Sequence, residues 1–165
     1  MNKNIRTIIT QYQCFANAEA LPEPAQQLFE QAKLAASQAY APYSQFNVGC
    51  ALLLDNGKIV LGNNQENAAY PSAMCAERVA VFSASALYPT AKVVTVFLSA
   101  FSPNYKLIQP ITPCGSCRQA LAEYEYKQKT KIKVYMTCDN DEIWMTESVF
   151  DLLPLAFNSD SLKGK

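Results

Sequence analysis

Thr112-Pro113-Cys114-Gly115-Ser116-Cys117-Arg118-Gln119 places two thiols three positions apart where an apolar, helix-forming segment begins. At a helix N-terminus the backbone dipole favours thiolates. Such a pair supports three readings: half of a zinc site, a redox dithiol, or two thiols in a core. For zinc, two sulfurs cannot fill a tetrahedral sphere, and the chain contains no histidine. A further cysteine is required, and Cys75 in Ser72-Ala73-Met74-Cys75-Ala76-Glu77-Arg78 is the best candidate. Three protein ligands leave one position open, the arrangement of a catalytic rather than a structural zinc. Positions i and i+2 do not face each other along a helix. At an open helix end, however, Glu77 can reach a metal-activated water from the side while Cys75 touches the metal. An exposed Glu77-Arg78 charge pair fits poorly in so apolar a segment as Ala73 to Phe82.

Working outward, Val93 to Ser99 is β-branched and apolar, the pattern of a central strand, and Ser102 to Pro113 is a long connection. Cys117 to Tyr126 reads as a helix, Lys131 to Met136 and Glu142 to Met145 as strands, and Thr146 to Leu152 as a short helix. Upstream, Ala25 to Tyr40 places Phe29, Ala32, Ala36 and Tyr40 on one helical face, with Pro42 as its stop. Asn47 to Leu54 and Lys58 to Gly62 flank Asp55-Asn56-Gly57, a strong hairpin signal. Ala73 to Ala86 reads as a buried helix with Ala76, Val79, Ala80 and Ser83 inward. This order predicts an α/β fold, a three-layer α/β/α sandwich around a mixed five-stranded sheet. Residues 1–22 form an N-terminal extension whose apolar stretch Asn4 to Phe15 suits an edge strand. Residues 23–158 are expected to form this layered domain and 159–165 a polar tail.

Fourteen basic and fourteen acidic side chains give zero net charge, which argues against a nucleic-acid polymer as partner. No apolar run reaches the roughly 20 residues of a membrane span. Met1 to Arg6 lacks the apolar region of a signal peptide, so the expected location is the cytoplasm. There the six cysteines are expected to be reduced, metal-bound or catalytic. Without histidine, no Ser-His-Asp triad or Cys-His pair can form, and acid–base work falls to other groups. Three thiolates on zinc carry net −1 and quench its Lewis acidity. Arg78 follows Glu77 and Arg118 follows Cys117, and either is a candidate to offset that charge by donating to a thiolate sulfur.

The segments Tyr43-Ser44-Gln45-Phe46-Asn47-Val48-Gly49, Gly62-Asn63-Asn64-Gln65-Glu66-Asn67-Ala68, Cys75-Ala76-Glu77-Arg78 and Pro113-Cys114-Gly115-Ser116-Cys117-Arg118-Gln119 together resemble the homotetrameric zinc-dependent cytidine deaminases. Leu152-Leu153-Pro154 with Phe157 is similar to that family's C-terminal motif, so the likeness runs from about Pro24 to Phe157. The resemblance implies one zinc per subunit on Cys75, Cys114 and Cys117, with Glu77 shuttling protons during attack of water on C4 of cytidine or 2′-deoxycytidine. It implies Phe46 against the pyrimidine, Asn64 and Glu66 on the ribose, and the Ala76 backbone near the base. Tyr70 and Phe157 would complete a neighbouring subunit's site in a homotetramer. Cys50 stands where the family commonly has alanine; Cys14 and Cys138 read as structural. Three rivals remain open: a deaminase of this fold with another substrate such as blasticidin S, a structural zinc closed by Cys50, and a Cys114–Cys117 redox dithiol.

Overall fold

A computed structural model describes residues 4–140 and 142–162. Along the chain run β1 (Gln13–Phe15), α1 (Glu23–Ser37), β2 (Asn47–Leu54), β3 (Ile59–Asn63), α2 (Ala76–Leu87), β4 (Val93–Phe101), α3 (Gly115–Gln128), β5 (Lys133–Thr137) and β6 (Ile143–Thr146). A one-turn helix, Val149–Leu152, follows. The strands form one sheet in the order β1-β6-β5-β4-β2-β3.

Every central strand buries both of its faces, which is why each reads as a near-continuous apolar run. Alternation nevertheless sorts the side chains. Ala51, Phe97, Tyr135, Ile143 and Met145 pack with Leu28, Phe29 and Ala32 of α1. Cys50, Leu52, Val96, Leu98, Val134 and Met136 pack with Ala76, Ala80 and Val81 of α2 and Leu121 of α3. One helix therefore covers one face and two helices the other, giving the three expected layers. Phe97 and Tyr135 stack with centroids 5.3 Å apart, and Phe29 meets Phe97 edge-on at 5.8 Å.

The β2–β3 hairpin turns where Asp55-Asn56-Gly57 was expected to turn it, with Gly57 at φ 78°. β4 and β5 are parallel, joined through α3, while β2 pairs antiparallel with both β3 and β4. Gly62 of β3 is the point of closest approach to α2. A Cβ there would lie 2.4 Å from the Ala76 carbonyl oxygen and 2.6 Å from the Ala80 nitrogen.

The sheet has six strands, not five. Among the described residues of the extension, only Gln13–Phe15 pairs, antiparallel to β6, and so provides the sixth strand. Residues 1–3 of the extension and 163–165 of the tail lie outside the described residues. The inner face of α2 is also corrected: Ala76, Glu77, Ala80, Val81 and Ala84 are buried, whereas Val79 and Ser83 are half-buried. α1 ends at Ser37, before Tyr40, which is exposed. No helix among the described residues is long and apolar enough to cross a membrane.

Candidate active site and metal centre

The starts of α2 and α3 converge. Cys75 is the residue before α2, Cys114 the residue before α3, and Cys117 lies in the first turn of α3. Their sulfurs all lie within 4.8 Å of one another. Cys75 Sγ stands 3.9 Å from Cys114 Sγ, which stands 3.5 Å from Cys117 Sγ. Thiolates about 2.3 Å from a tetrahedral zinc stand roughly 3.8 Å apart, so the three sulfurs fit that ion. All six cysteines are free. Cys50 is not part of this cluster; it is fully buried on β2, where burial and then the nearby Glu77 charge push its thiol pKa up.

The electrostatics suit a thiolate site. Cys75 is drawn down to about 5, chiefly by a hydrogen bond from the Cys117 thiol, with Arg78 and Cys114 assisting against desolvation. The Cys117 thiol moves up in return, because it is the donor to Cys75 and is buried. Arg78 Nη2 donates to Cys75 Sγ at 3.6 Å. Its Nε is buried with no partner among the described residues, a donor left over beside sulfur. Arg118 does not share this role. Its Nε donates to the Pro113 carbonyl (2.7 Å), Nη1 to the Leu152 carbonyl (2.9 Å) and Nη2 to Thr112 Oγ1 (3.0 Å). It binds the ligand loop to the C-terminal one-turn helix instead of neutralising thiolate.

Glu77 is 4 % exposed. Burial raises its pKa first, and the Cys75 charge adds to that; its own backbone N–H, the Cys117 thiol and Arg78 oppose. A carboxyl so placed can hold a proton and release it.

Glu77, Cys75, Ala76 and Cys114 share a cavity of about 670 Å³ with Phe46, Asn64 and Glu66. Asn64 is already committed: its Oδ1 accepts from Val48 N and its Nδ2 donates to the Phe46 carbonyl, both at 2.8 Å. It fixes the backbone that carries Phe46, with one N–H still free to give. Glu66 accepts from Tyr43 N (2.8 Å), Ser44 N (3.3 Å) and Ser44 Oγ (2.5 Å). The Ser44 hydroxyl foremost, then these amides, hold it below the usual carboxylate range. Three of roughly four acceptor sites are thus used, leaving one for a ligand hydroxyl.

Tyr70 and Phe157 do not line this cavity; they are 75 % and 58 % exposed. Site reasoning from sequence passed over Ser44 and Trp144, which line the cavity together with the Leu107–Thr112 stretch. Ser44 had a local signal, a hydroxyl two residues before Phe46. Trp144 had none, since a strand pattern says nothing about which cavity its side chain meets.

The chain matches the family model described as "Cytidine and deoxycytidylate deaminase zinc-binding region" over residues 22–134. It is 39 % identical to the cytidine deaminase of Sporosarcina psychrophila over 138 residues, covering 83 % of this chain and 93 % of that protein. It is 36 % identical to the cytidine deaminase of Halalkalibacterium halodurans, over 83 % and 96 % of the two chains. The crystal structure of cytidine deaminase from Burkholderia pseudomallei superposes with a TM-score of 0.69 at 38 % identity, covering 83 % of this chain and all of that one.

Proposed function

The chain belongs to the cytidine and deoxycytidylate deaminase family, and we propose from that premise how its residues divide the work of deaminating cytidine. The protein is a hydrolase: cytidine and water become uridine and ammonia. 2′-Deoxycytidine is the second substrate, the setting is nucleoside salvage in the cytoplasm, and the working form is a homotetramer. The observation that carries the reading is the cavity lined by buried Glu77 with Cys75 and Cys114, whose sulfurs cluster with that of Cys117 at two helix starts.

Cys75, Cys114 and Cys117 would hold zinc, which when bound supplies Lewis acidity toward water. Glu77 accepts one proton of the attacking water and passes it to N3 of the pyrimidine; it then carries the second, from the hydroxyl now on C4, to the amine, which leaves as ammonia while the C4 carbonyl forms. Its burial supports this traffic, because desolvation raises its pKa and helps it hold a proton. Arg78 offsets thiolate charge at Cys75, and the two helix N-termini add positive potential. Phe46 packs on the ring, held by Asn64. Glu66 accepts from a ribose hydroxyl, and the Ala76 backbone approaches the base. The exposure of Tyr70 and Phe157 supports their use by a neighbouring subunit.

The test is ammonia release from cytidine, with zinc content measured on the same samples. Glu77→Gln is expected to retain zinc and lose turnover by about 10²- to 10⁴-fold, the usual weight of a positioned general acid–base group. Full turnover in that variant would sink the assignment of Glu77. Blasticidin S consumed in preference to cytidine would displace the substrate assignment.

A further inference from the structure

We propose that Trp144 is a substrate-binding wall of the nucleoside cavity, and that Tyr12 of the N-terminal arm is the positioning residue that holds it there. This rests on the deaminase reading of the cavity.

Trp144 lines the same cavity as Phe46 and Glu77, in company with Leu107, Ile108 and Ile111. It is half-buried, and its inward part packs with the core beneath α2 and α3. Its backbone is held from both sides, by Met136 of β5 and by Cys14 of β1. Its ring is held as well. Nε1 donates to Glu142 Oε1 at 2.8 Å, and the Tyr12 ring lies against it with centroids 5.1 Å apart, tilted by 48°. The arm that carries Tyr12 is itself tied down: Thr10 Oγ1 donates to the Asp151 carbonyl at 2.6 Å. Strand pairing, an aromatic contact and a hydrogen bond thus converge on one indole that borders the substrate space.

Physical chemistry gives that arrangement a consequence. An immobilised indole presents a large, flat, apolar surface without losing further rotamer freedom when a ligand arrives. Freed of Tyr12, the same side chain could rotate, and the cavity would lose a fixed boundary. Residues 10–15 precede the segment that resembles the family, so the arm is an addition that reaches the site from outside it. The effect falls on binding rather than chemistry, because Tyr12 acts through Trp144 and no described residue of the arm lines the cavity.

Trp144 is the only tryptophan in the chain, so its emission reports this wall directly. The experiment titrates the whole protein with uridine, the reaction product, while recording tryptophan fluorescence, and measures kcat and KM for cytidine on the wild type, Tyr12→Ala and Tyr12→Phe. A saturable change in emission is expected at the uridine concentrations that inhibit turnover. Tyr12→Ala should red-shift the ligand-free emission and raise KM by about threefold, with kcat within about twofold. Tyr12→Phe, which keeps the ring, should restore both. If Tyr12→Ala lowers the melting temperature but leaves KM and emission unchanged, its role is merely structural and the inference is overturned. Ammonia release by a wild type whose emission ignores inhibitory uridine also overturns it, and leaves the reaction standing. An emission response to uridine without ammonia release from cytidine overturns the reaction and keeps the wall.

Discussion

Arg78 shows what a single residue contributes. Three thiolates in one site repel one another and weaken the Lewis acidity available there. The guanidinium on Cys75 Sγ is the one cation that reaches a ligand sulfur among the described residues. Removing it leaves the cavity lining intact, since Arg78 takes no part in that lining. Arg78→Ala is therefore expected to lower kcat about tenfold, the usual scale for a partner of a metal ligand, with KM within about twofold. Steady-state kinetics on cytidine decides this; an unchanged kcat would mean that the helix N-termini alone offset the thiolate charge.

Among the elements, α2 matters most, because its start carries both Cys75 and Glu77. Its height above the sheet is set where Gly62 lies under Ala76 and Ala80. Gly62→Ala drives a methyl group into backbone, not into a flexible side chain, so α2 must lift. A cost of about 1–3 kcal/mol is expected from such overpacking, together with a lower zinc content after dialysis. Gly115→Ala is the control: a Cβ there meets nothing within 4 Å. Thermal unfolding and metal analysis of both variants test the contrast, and equal melting temperatures would refute it. A second clamp lies at the other end of α3. Buried Glu125 accepts from Ile132 N and Val149 N, both at 2.9 Å, and from Ser148 Oγ. It joins α3 to the start of β5 and to the one-turn helix whose Leu152 carbonyl meets Arg118. Glu125→Ala strands buried donors and should lower stability in urea by about 3 kcal/mol or more. A midpoint shift worth under about 1 kcal/mol would show that water replaces the carboxylate.

Across the whole molecule, Tyr70 and Phe157 are 75 % and 58 % exposed and take no part in lining the cavity of their own chain. In the tetramer we propose, Phe157→Ala should slow cytidine turnover at saturating substrate by roughly tenfold while sedimentation velocity still shows four subunits. A fully active monomer at assay concentration would remove the tetramer from the account.

By itself the sequence determined the cysteine spacing, the placement of Glu77 beside Cys75, the hairpin at Asp55-Asn56-Gly57, and the helix–strand order that demands a layered α/β fold. These are local or periodic properties, and covalent neighbours and side-chain alternation carry them. The tertiary structure alone decided which side chains meet across the chain. It placed Gln13–Phe15 on β6 as a sixth strand, although the broader apolar stretch gave no sign which residues would pair. It kept Cys50 out of the sulfur cluster and turned Arg118 toward Pro113, Thr112 and Leu152, although Arg118 adjoins Cys117 as closely as Arg78 adjoins Glu77. It set the inner face of α2 on Val81 and Ala84, because the helix starts at Ala76 and rests on Gly62. It also brought Trp144 to the cavity from 67 positions beyond Glu77, through strand pairing and packing that only a folded sheet provides. The division follows from range: a pattern encodes each segment's own geometry, while contacts between distant segments depend on how all of them close-pack together.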